Sequence, residues 1–211
     1  MRSLNSNQNR PVVGIVWMVL TGLNFVAVTV IVKHIGSDVP AAQSAFLRYL
    51  LGLLFLIPMI RPILEAHLTK RQLKLFVGRG VVHTFAVLLW FFAMARIPIA
   101  DVTAMNYLSP VYVTLGAALM FNEALPPRRL AAVIIALAGA IIILRPGFRE
   151  IDQGHIAMLG TAFMFATGYL VAKQLSSEVS ASVVVGMLSI TVTIGLAPFA
   201  WAVWIPVAWS D

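Results

Sequence analysis

Arg48 is the outstanding polar residue of this 211-residue sequence. It lies near the middle of the apolar stretch 39–60, with no carboxylate at a comparable depth. Inside a bilayer such a charge costs at least about 2.5 kcal/mol, even on insertion scales. One interpretation is an arginine that lines a water-filled cavity and meets anionic groups such as carboxylates. The other is an arginine held by backbone carbonyls as a packing and orientation device, and both remain open.

A second group of residues shares one helical face. Arg79 and His83 lie four residues apart, and Trp90 falls two turns after His83. This face can form the wall of a cavity, and His83 can respond to protons because histidine titrates near neutral pH. The alternative for His83 is a hydrogen bond to a neighbouring helix. For Arg79 we favour a structural role in which the side chain snorkels to the cytoplasmic surface.

Polar residues also follow helical spacing in the apolar stretch 97–121, where they predict a face that looks inward. Pro110 frees a backbone carbonyl and kinks that helix, which polar neighbours or cavity water can satisfy. Polar helix packing is the alternative for this face. Thr21 and Asn24 form a similar pair in the first apolar stretch. The residues of the polar face are Thr103, Asn106, Tyr107, Ser109, Pro110 and Thr114.

The sequence lacks the patterns of several other chemistries. It has no cysteine, and no two carboxylates sit together within an apolar stretch, so thiolate metal sites and magnesium-dependent prenyl transfer are excluded. It has no Gly-x-Ser-Gly turn, no Walker A pattern and no Gly-x-Gly-x-x-Gly pattern. A retinal Schiff base needs a lysine in the last apolar stretch, and none is there. We therefore predict no enzyme, no catalytic residue, no cofactor and no metal site.

The composition places these residues in a bilayer. Apolar residues make up 60% of the sequence, and only 15 basic and 8 acidic residues are charged. These proportions exclude a soluble globular domain and a disordered chain. Runs long enough to cross about 30 Å of hydrocarbon predict an all-α polytopic membrane protein with about seven transmembrane helices. The predicted spans are 11–32, 39–60, 75–95, 97–121, 130–144, 154–172 and 179–200.

The distribution of Lys and Arg predicts the orientation. With the N-terminus inside, ten of these residues fall in cytoplasmic connections and four in the opposite ones, an excess typical of the cytoplasmic side. The segment 1–10 is therefore expected in the cytoplasm, and seven spans leave the C-terminus outside. The net charge of +7 indicates contact with anionic lipid and not with nucleic acid, because the basic residues lie between apolar runs.

The sequence contains an internal repeat. A shift of 140 residues without a gap gives ten identities between positions 14–58 and 154–198, including Pro58 with Pro198. Chance agreement between apolar helices is the alternative. A repeat of this length holds five helices, an odd number, so the second copy enters the membrane from the opposite side. Inverted repeats of this kind are typical of transporters.

Five short segments carry a family resemblance. They are FFAMARIPIADVTA at 91–104, LSPVYVT at 108–114, EAL at 123–125, AGA at 138–140 and RPG at 145–147. As an ordered set they resemble the EamA-type permeases of the drug/metabolite transporter superfamily, which carry two five-helix repeats. The resemblance implies a secondary transporter in a bacterial-type inner membrane that works by alternating access. The substrates it implies are amino acids and related compounds, S-adenosylmethionine or riboflavin, with protons or substrate exchange as the energy source.

The resemblance also implies the domain organisation. Residues 11–147 are a complete first repeat, 152–200 are a partial second repeat of two helices, and 201–211 are a Trp-rich interfacial tail. Family members normally have ten helices, so three are missing here. The alternative function is therefore a non-transporting truncated product, or an assembly subunit that needs a partner chain. The partners we expect are the lipid bilayer, a small-molecule substrate, protons as coupling ion and a second copy of the chain.

The site residues follow from these arguments. We expect a cavity among the first, third, fourth and sixth spans, with Arg48 contributing from the second. Glu123 matches the family's acid at the end of the fourth span. We expect it to interact with Arg128 or Arg129, or with the start of the fifth span, where its charge suits the helix dipole. The structural residues are Glu123, Arg79 and Arg128. The predicted substrate-pathway residues are Arg48, Asn24, Thr21, His83, Trp90, Thr103, Asn106, Tyr107 and Pro110.

Overall fold

A computed structural model describes residues 16–17, 19–24, 26–27, 30, 39–144 and 151–206. The regular elements in these ranges are helical, as predicted. The first span is helical at the positions described between residues 16 and 30. The predictions for segment 1–10, for the rest of the first span, for the RPG segment and for the end of the Trp-rich tail lie outside the described residues.

The described helices agree with an all-α polytopic membrane protein. Four stretches are long and apolar enough to cross a membrane: Lys70–Met94, Ile99–Phe121, Gln153–Ser176 and Ala181–Ala202. The helices are α1 (Ala41–Gly52), α2 (Ile60–Leu64), α3 (Lys70–Met94), α4 (Ile99–Asn106), α5 (Leu108–Phe121), α6 (Pro127–Leu144), α7 (Gln153–Ser176) and α8 (Ala181–Ala202). A 3₁₀ segment, Leu53–Met59, connects α1 to α2.

Local side chains determine where the long helices begin and end. The Gln72 N–H donates to Thr69 Oγ1 at 3.2 Å and the Thr69 N–H donates to Gln72 Oε1 at 2.9 Å, which forms a capping box at the start of α3. Asp152 and His155 form the equivalent box at the start of α7. Asn122 ends α5 in the left-handed conformation, with φ of 50°.

Two predicted spans are interrupted near a proline. The second span changes from α-helix to the 3₁₀ segment that contains Pro58, so it is not one continuous α-helix. The fourth span is divided at Tyr107 into α4 and α5. Pro110 has no N–H to donate to the Asn106 carbonyl, and the Tyr107 N–H makes a tighter bond to Ala104 O at 3.1 Å. The structure therefore interrupts this span three residues before Pro110, where the sequence predicts a kink.

Helix α3 lies at the centre of the bundle and packs against α7 and α8. A Cβ atom at Gly80 would overlap the Thr191 hydroxyl of α8, and one at Gly195 would lie 2.5 Å from Thr84 Oγ1 of α3. The two contacts are reciprocal and lie one turn apart on both helices. Small residues at this spacing let membrane helices approach closely, so the α3–α8 contact depends on both glycines.

Contacts between the connections agree with the predicted alternation of the spans. At one end of the bundle Arg71 pairs with Glu178 at 2.8 Å, and Lys173 pairs with Glu123. At the other end the Gln43 side-chain amide exchanges hydrogen bonds of 2.8 and 3.0 Å with the backbone after α8. Connections expected on the same side of the membrane therefore meet each other. Which side is cytoplasmic rests on the charge count and stays a prediction.

The two ion pairs predict a loss of stability at low pH. A hydrogen bond from Lys173 holds the pKa of the Glu123 carboxyl below its usual range, and bonds from Arg71 and Gln72 do the same for Glu178. This stabilisation is complete above the ordinary Glu pKa of about 4.3 and is lost as the pH falls through the lowered folded-state value. We expect the melting temperature in detergent to fall over this range.

The matched measurement uses the E123Q/E178Q double variant. Its melting temperature should depend less steeply on pH than that of the wild type, because neither side chain can lose a proton. The difference should be small, since exposed ion pairs contribute little to stability. Identical pH profiles for the two proteins would contradict a stabilising role for these pairs.

Candidate functional site

A cavity of about 410 Å³ opens where α4 meets α5. This volume lies within the range of pockets that hold small molecules. The first span, the α4–α5 junction and α7 supply its walls. The described lining residues are Trp17, Thr21, Gly22, Thr103, Asn106, Tyr107, Ser109, Pro110 and Tyr169. Five of the predicted pathway residues therefore meet here: Thr21, Thr103, Asn106, Tyr107 and Pro110.

The helix break brings two short helices to the wall of this cavity. α4 ends at Asn106 and α5 starts at Leu108, so the lining includes side chains from two short helices. Asn106 Oδ1 and Ser109 Oγ are buried and have no hydrogen-bond partner among the residues that the structure describes, and Ser109 is only 3% exposed. Buried polar atoms are normally hydrogen bonded. Both atoms are enclosed by the packed helices and do not contact the open space of the cavity.

Arg48 lies outside this lining and stacks on aromatic rings. Its guanidinium carbon is 5.6 Å from the ring centroid of Tyr49 and 5.8 Å from that of Trp90, within the range of cation–π contacts. In the described part of the chain Arg48 makes neither an ion pair nor a bond to a backbone carbonyl. The bonds to backbone carbonyls that one of the two interpretations of Arg48 requires are therefore not found among the described residues.

A line of aromatic side chains connects the region of Arg48 with the cavity. The Tyr49 hydroxyl lies 2.9 Å from His83 Nε2, so His83 has a hydrogen-bond partner on a neighbouring helix. The His83 ring centroid is 4.9 Å from that of Phe165, and the Phe165 centroid is 6.5 Å from that of Tyr169, which lines the cavity. His83 and Arg48 thus lie beside the cavity and not in its wall.

Arg79 does not snorkel to the membrane surface, so that prediction is wrong. The residue is 7% exposed, and its Nε and Nη1 donate to Gly168 O at 3.1 Å and Val184 O at 2.9 Å. These carbonyls belong to α7 and α8, which cover this face of α3. A carbonyl oxygen has two lone pairs and can accept from Arg79 while remaining in its own helix. The guanidinium therefore makes two hydrogen bonds inside the bundle and joins three helices.

Glu123 lies at the end of the bundle that also holds the Glu178 pair. It forms a salt bridge with Lys173 of α7 and lies 3.7 Å from Arg129. Lys173 also lies 5.2 Å from the ring centroid of Phe121, at the end of α5. The pairing with Lys173 was not foreseen, because the two residues follow different predicted spans and lie 50 positions apart in the sequence. Glu123 thereby connects the α5–α6 loop to α7.

The opposite end holds a buried pair that sequence reasoning missed. Asp101 in α4 is 4% exposed, and its Oδ2 lies 3.5 Å from His155 Nε2. His155 Nδ1 accepts the Asp152 N–H at 3.1 Å, so its other nitrogen is the one able to donate toward Asp101. The pair joins α4 to the start of α7. Neither spacing nor motif could reveal it, since the two residues come together only when the spans pack.

Two further predicted residues also lie outside the cavity wall. Asn24 is exposed and does not contribute to the lining. Trp90 is buried in the core, at 1% exposure, and its ring makes a cation–π contact with Arg48. Sequence reasoning also missed Tyr49 and Tyr169. Two signals were visible in the sequence: Tyr49 follows Arg48 inside a predicted span, and Tyr169 lies one turn after Phe165.

Comparison with known proteins gives a family match. The profile of the EamA-like transporter family matches residues 12–145. The chain is 30% identical over 176 residues to a riboflavin transporter of Rhizobium johnstonii, an alignment that covers 82% of this chain and 58% of that protein. It is 28% identical over 191 residues to the pseudopaline exporter of Pseudomonas aeruginosa, covering 90% of this chain and 66% of that protein.

A more distant relative is an S-adenosylmethionine uptake transporter of Rickettsia prowazekii. It is 20% identical over 192 residues, with 91% of this chain and 65% of that protein aligned. The chain thus spans between 58% and 66% of the length of these three relatives. No solved structure matches the chain significantly.

Proposed function

The chain belongs to the EamA-like transporter family, and on this basis we propose that it is a secondary transporter that moves a small metabolite across the inner membrane by alternating access. The observation that carries the proposal is the cavity at the helix break between α4 and α5. Tyr107 lies near the middle of the 23-residue stretch Ile99–Phe121. Transporters typically bind their substrates near the bilayer midplane at discontinuous helices.

The relatives support a small metabolite as substrate and leave its identity open. Their names refer to riboflavin, pseudopaline and S-adenosylmethionine. We propose riboflavin, S-adenosylmethionine or an amino acid and related compounds as the substrate class. Both an exporter and an uptake transporter occur among these relatives, so they do not assign a direction.

We propose roles in transport for three predicted pathway residues that lie outside the cavity wall. Arg48 meets anionic groups of the substrate, because it has no acidic partner among the described residues. His83, bonded to Tyr49, is the proposed proton-responsive group of a proton-coupled cycle. We propose that Asn24 contacts the substrate on its way to the cavity.

The orientation of the chain in the membrane is also a proposal. The N-terminus is proposed to be cytoplasmic, from the excess of Lys and Arg in the connections on that side.

A difference between the two repeats supports alternating access. Pro58 lies in the 3₁₀ segment Leu53–Met59, whereas its counterpart Pro198 lies inside the continuous helix α8. Inverted repeats that hold different conformations can exchange them, which moves a central site from one side of the membrane to the other. We propose that α8 changes from a continuous helix to a bent one before Pro198 in the opposite-facing state. The chain after α1, before Pro58, already departs from α-helix in the present state.

Pro198→Ala tests this bending. The variant regains an N–H that can bond to the Ile194 carbonyl, so α8 becomes harder to bend. We expect the transport rate of an active form to fall about tenfold, with equilibrium binding of the substrate within about twofold of wild type. Pro127→Ala is the matched control, because a proline in a first helical turn replaces an N–H that has no partner. An undiminished rate in Pro198→Ala would refute the bending.

The transport assay itself measures uptake and efflux of a labelled metabolite panel in lipid vesicles. Three proteins are compared: this chain, a chimera completed with the remaining C-terminal part of the R. johnstonii riboflavin transporter, and the Arg48→Ala variant of whichever form is active. Transport of at least one metabolite, reduced by about tenfold or more in Arg48→Ala, is the expected result. If neither form moves any metabolite, the transporter proposal fails.

A second candidate function is a non-transporting product or a subunit that needs a partner chain. The alignments cover between 58% and 66% of the length of the relatives, so transport by this chain is itself a proposal and is compared with that of the completed chimera. Transport by the completed chimera alone would support this candidate for the 211-residue chain. Transport by the chain itself would exclude it and would make the oligomeric state the next measurement.

A further inference from the structure

Three basic side chains form a cluster beside the cavity: Arg48 of α1 and Arg79 and His83 of α3. Tyr49 joins the two helices here, because its hydroxyl lies 2.9 Å from His83 Nε2 and its ring centroid lies 5.6 Å from the Arg48 guanidinium carbon. The charges of Arg48 and Arg79 both act on His83. We call these three residues the basic cluster.

The basic cluster has no acid to balance its charge in the described part of the chain. None of the ion pairs found there includes Arg48 or Arg79. Both guanidinium groups stay charged, because arginine does not lose its proton inside a protein. Charged side chains within membrane spans are costly and typically mark the path of a substrate or an ion. An anion that enters the basic cluster would balance its charge.

Two nitrogens of the basic cluster are free to bond to another molecule. Arg79 donates from Nε and Nη1 to carbonyls of α7 and α8, and its Nη2 makes no hydrogen bond among the described residues. When the Tyr49 hydroxyl donates to His83 Nε2, the hydrogen of the neutral ring lies on Nδ1, which can donate. Neither nitrogen belongs to the enclosed unpaired atoms of the described chain, whereas Ser109 Oγ does. A small molecule can therefore contact both nitrogens.

The surroundings of the basic cluster leave space for a ligand. Arg48 is exposed although it lies within an apolar stretch. Gly168 of α7 has no side chain, and a Cβ atom there would lie 3.9 Å from His83 Nδ1 and 4.0 Å from Arg79 Cγ. Tyr169, the next residue, lines the 410 Å³ cavity and interacts electrostatically with Arg79. The basic cluster and the cavity therefore share Tyr169 as their boundary.

We propose that the basic cluster binds the carboxylate of the transported metabolite, which rests on the proposed function and narrows its substrate class to organic acids and zwitterions. Arg48 and Arg79 Nη2 donate to the carboxylate oxygens in charge-assisted hydrogen bonds, which are stronger than neutral ones. The rest of the metabolite lies in the cavity, where Trp17, Tyr107 and Tyr169 supply aromatic contacts. Arg79 is thereby a binding residue as well as a link between helices. An uncharged compound would leave the basic cluster unbalanced.

The test compares acids with their uncharged amides. The probes are radiolabelled N-acetyl-L-tryptophan, N-acetyl-L-methionine and N-acetyl-L-leucine, each of which carries a single negative charge at neutral pH and has none as the amide. Dissociation constants are measured by equilibrium dialysis at neutral pH with the full chain purified in an uncharged detergent. We expect at least one acid to bind about tenfold or more tightly than its amide, because hydrogen bonds to charged groups are the stronger ones.

Replacement of Arg48 assigns the preference to the basic cluster. Arg48→Gln should reduce the preference for the acid to within about threefold, while the amide binds as it does to wild type. Arg48→Lys should retain most of the preference, because it keeps the charge. Arg61→Gln is the matched control, since it removes the same charge from an exposed position just beyond the second predicted span and should leave all constants unchanged.

Gly168→Val tests the Arg79 side of the basic cluster without removing a charge. A valine there fills the space beside His83 Nδ1 and Arg79 Cγ, while the two carbonyl bonds of Arg79 need only backbone atoms of α7 and α8. We expect the acid to bind about tenfold more weakly than to wild type. The comparison of acid with amide uses the unmodified chain, so it does not depend on the folding of any variant.

Several outcomes overturn the inference. They are equal binding of every acid and its amide, absence of binding of any acid, and a preference that both Arg48→Gln and Gly168→Val leave intact. Transport of riboflavin in vesicles, without transport of any carboxylate-bearing metabolite, would overturn this substrate class and leave the permease in place. Selective binding of an acid without transport of any metabolite would instead refute the permease and leave the binding site in place.

Discussion

Gly80→Leu is expected to prevent assembly of the folded bundle. A Cβ atom at this position would already overlap the Thr191 hydroxyl of α8, and the remaining leucine atoms have no space at the same crossing. Overpacking of a tight contact costs about 1–3 kcal/mol and occasionally more, and we expect about 3 kcal/mol or more here. Gly195→Leu should have the same effect, because it meets Thr84 one turn away.

Gly78→Leu is the matched control for this prediction. It lies on the same helix, and a Cβ atom there has nothing within 4 Å. The measurement is the yield of monodisperse protein in detergent together with the melting temperature, which should be lost or strongly lowered for Gly80→Leu and nearly unchanged for Gly78→Leu. Equal behaviour of the two variants would show that the α3–α8 contact is not a tight one.

A double variant locates the clash. Gly80→Ala alone should be destabilised, because its methyl group meets Thr191. Combining it with Thr191→Gly removes the opposing side chain and should restore part of the lost stability. Additive losses in the double variant would mean that Gly80 acts through α3 alone.

Trp90→Ala is expected to be the most damaging truncation in the core. The side chain is 1% exposed, packs edge to face against Phe91 with ring centroids 5.4 Å apart, and carries the Arg48 guanidinium at 5.8 Å. Removing such a ring leaves a cavity that the surrounding helices fill only partly. Losses for Trp→Ala in a packed core are about 3–5 kcal/mol. Arg48 would also lose one of its two aromatic contacts.

The measurement is unfolding of the purified variants in a detergent that denatures membrane helices. Trp90→Phe should retain most of the stability, because a smaller ring still fills much of the space. Trp201→Ala is the matched control, since that side chain is 85% exposed and its removal opens no core cavity. A loss at Trp90→Ala no larger than at Trp201→Ala would contradict the central position of Trp90.

The polar stripe of the fourth span shows how far sequence reasoning can go. Helical spacing and Pro110 predicted both an inward face and a kink, and the described structure has a cavity and a helix break there. Spacing worked because neighbours within one helix determine which side chains share a face. It could not show that Ser109 Oγ stays unpaired, since that depends on which groups the first span and α7 bring near it.

Arg79 shows the opposite case. From the sequence its position near the start of a span favoured a side chain that reaches the membrane surface. In the structure α7 and α8 cover that face, and two carbonyls lie within hydrogen-bond distance of the guanidinium. The partner groups are backbone atoms of helices far away in sequence. Residue type does not reveal such partners, because every residue has a carbonyl.

Hydrophobic length and motif order are properties of the sequence itself, so the sequence alone determined the helical membrane class, the positions of the four long apolar helices and the family. It also indicated the break at Pro110, because the missing N–H is a local fact. The tertiary structure alone decided that Arg48 rests on Trp90, that Lys173 meets Glu123, and that Asp101 meets His155. These contacts join different spans, and their geometry is set by how closely the helices pack, which depends on small residues such as Gly80.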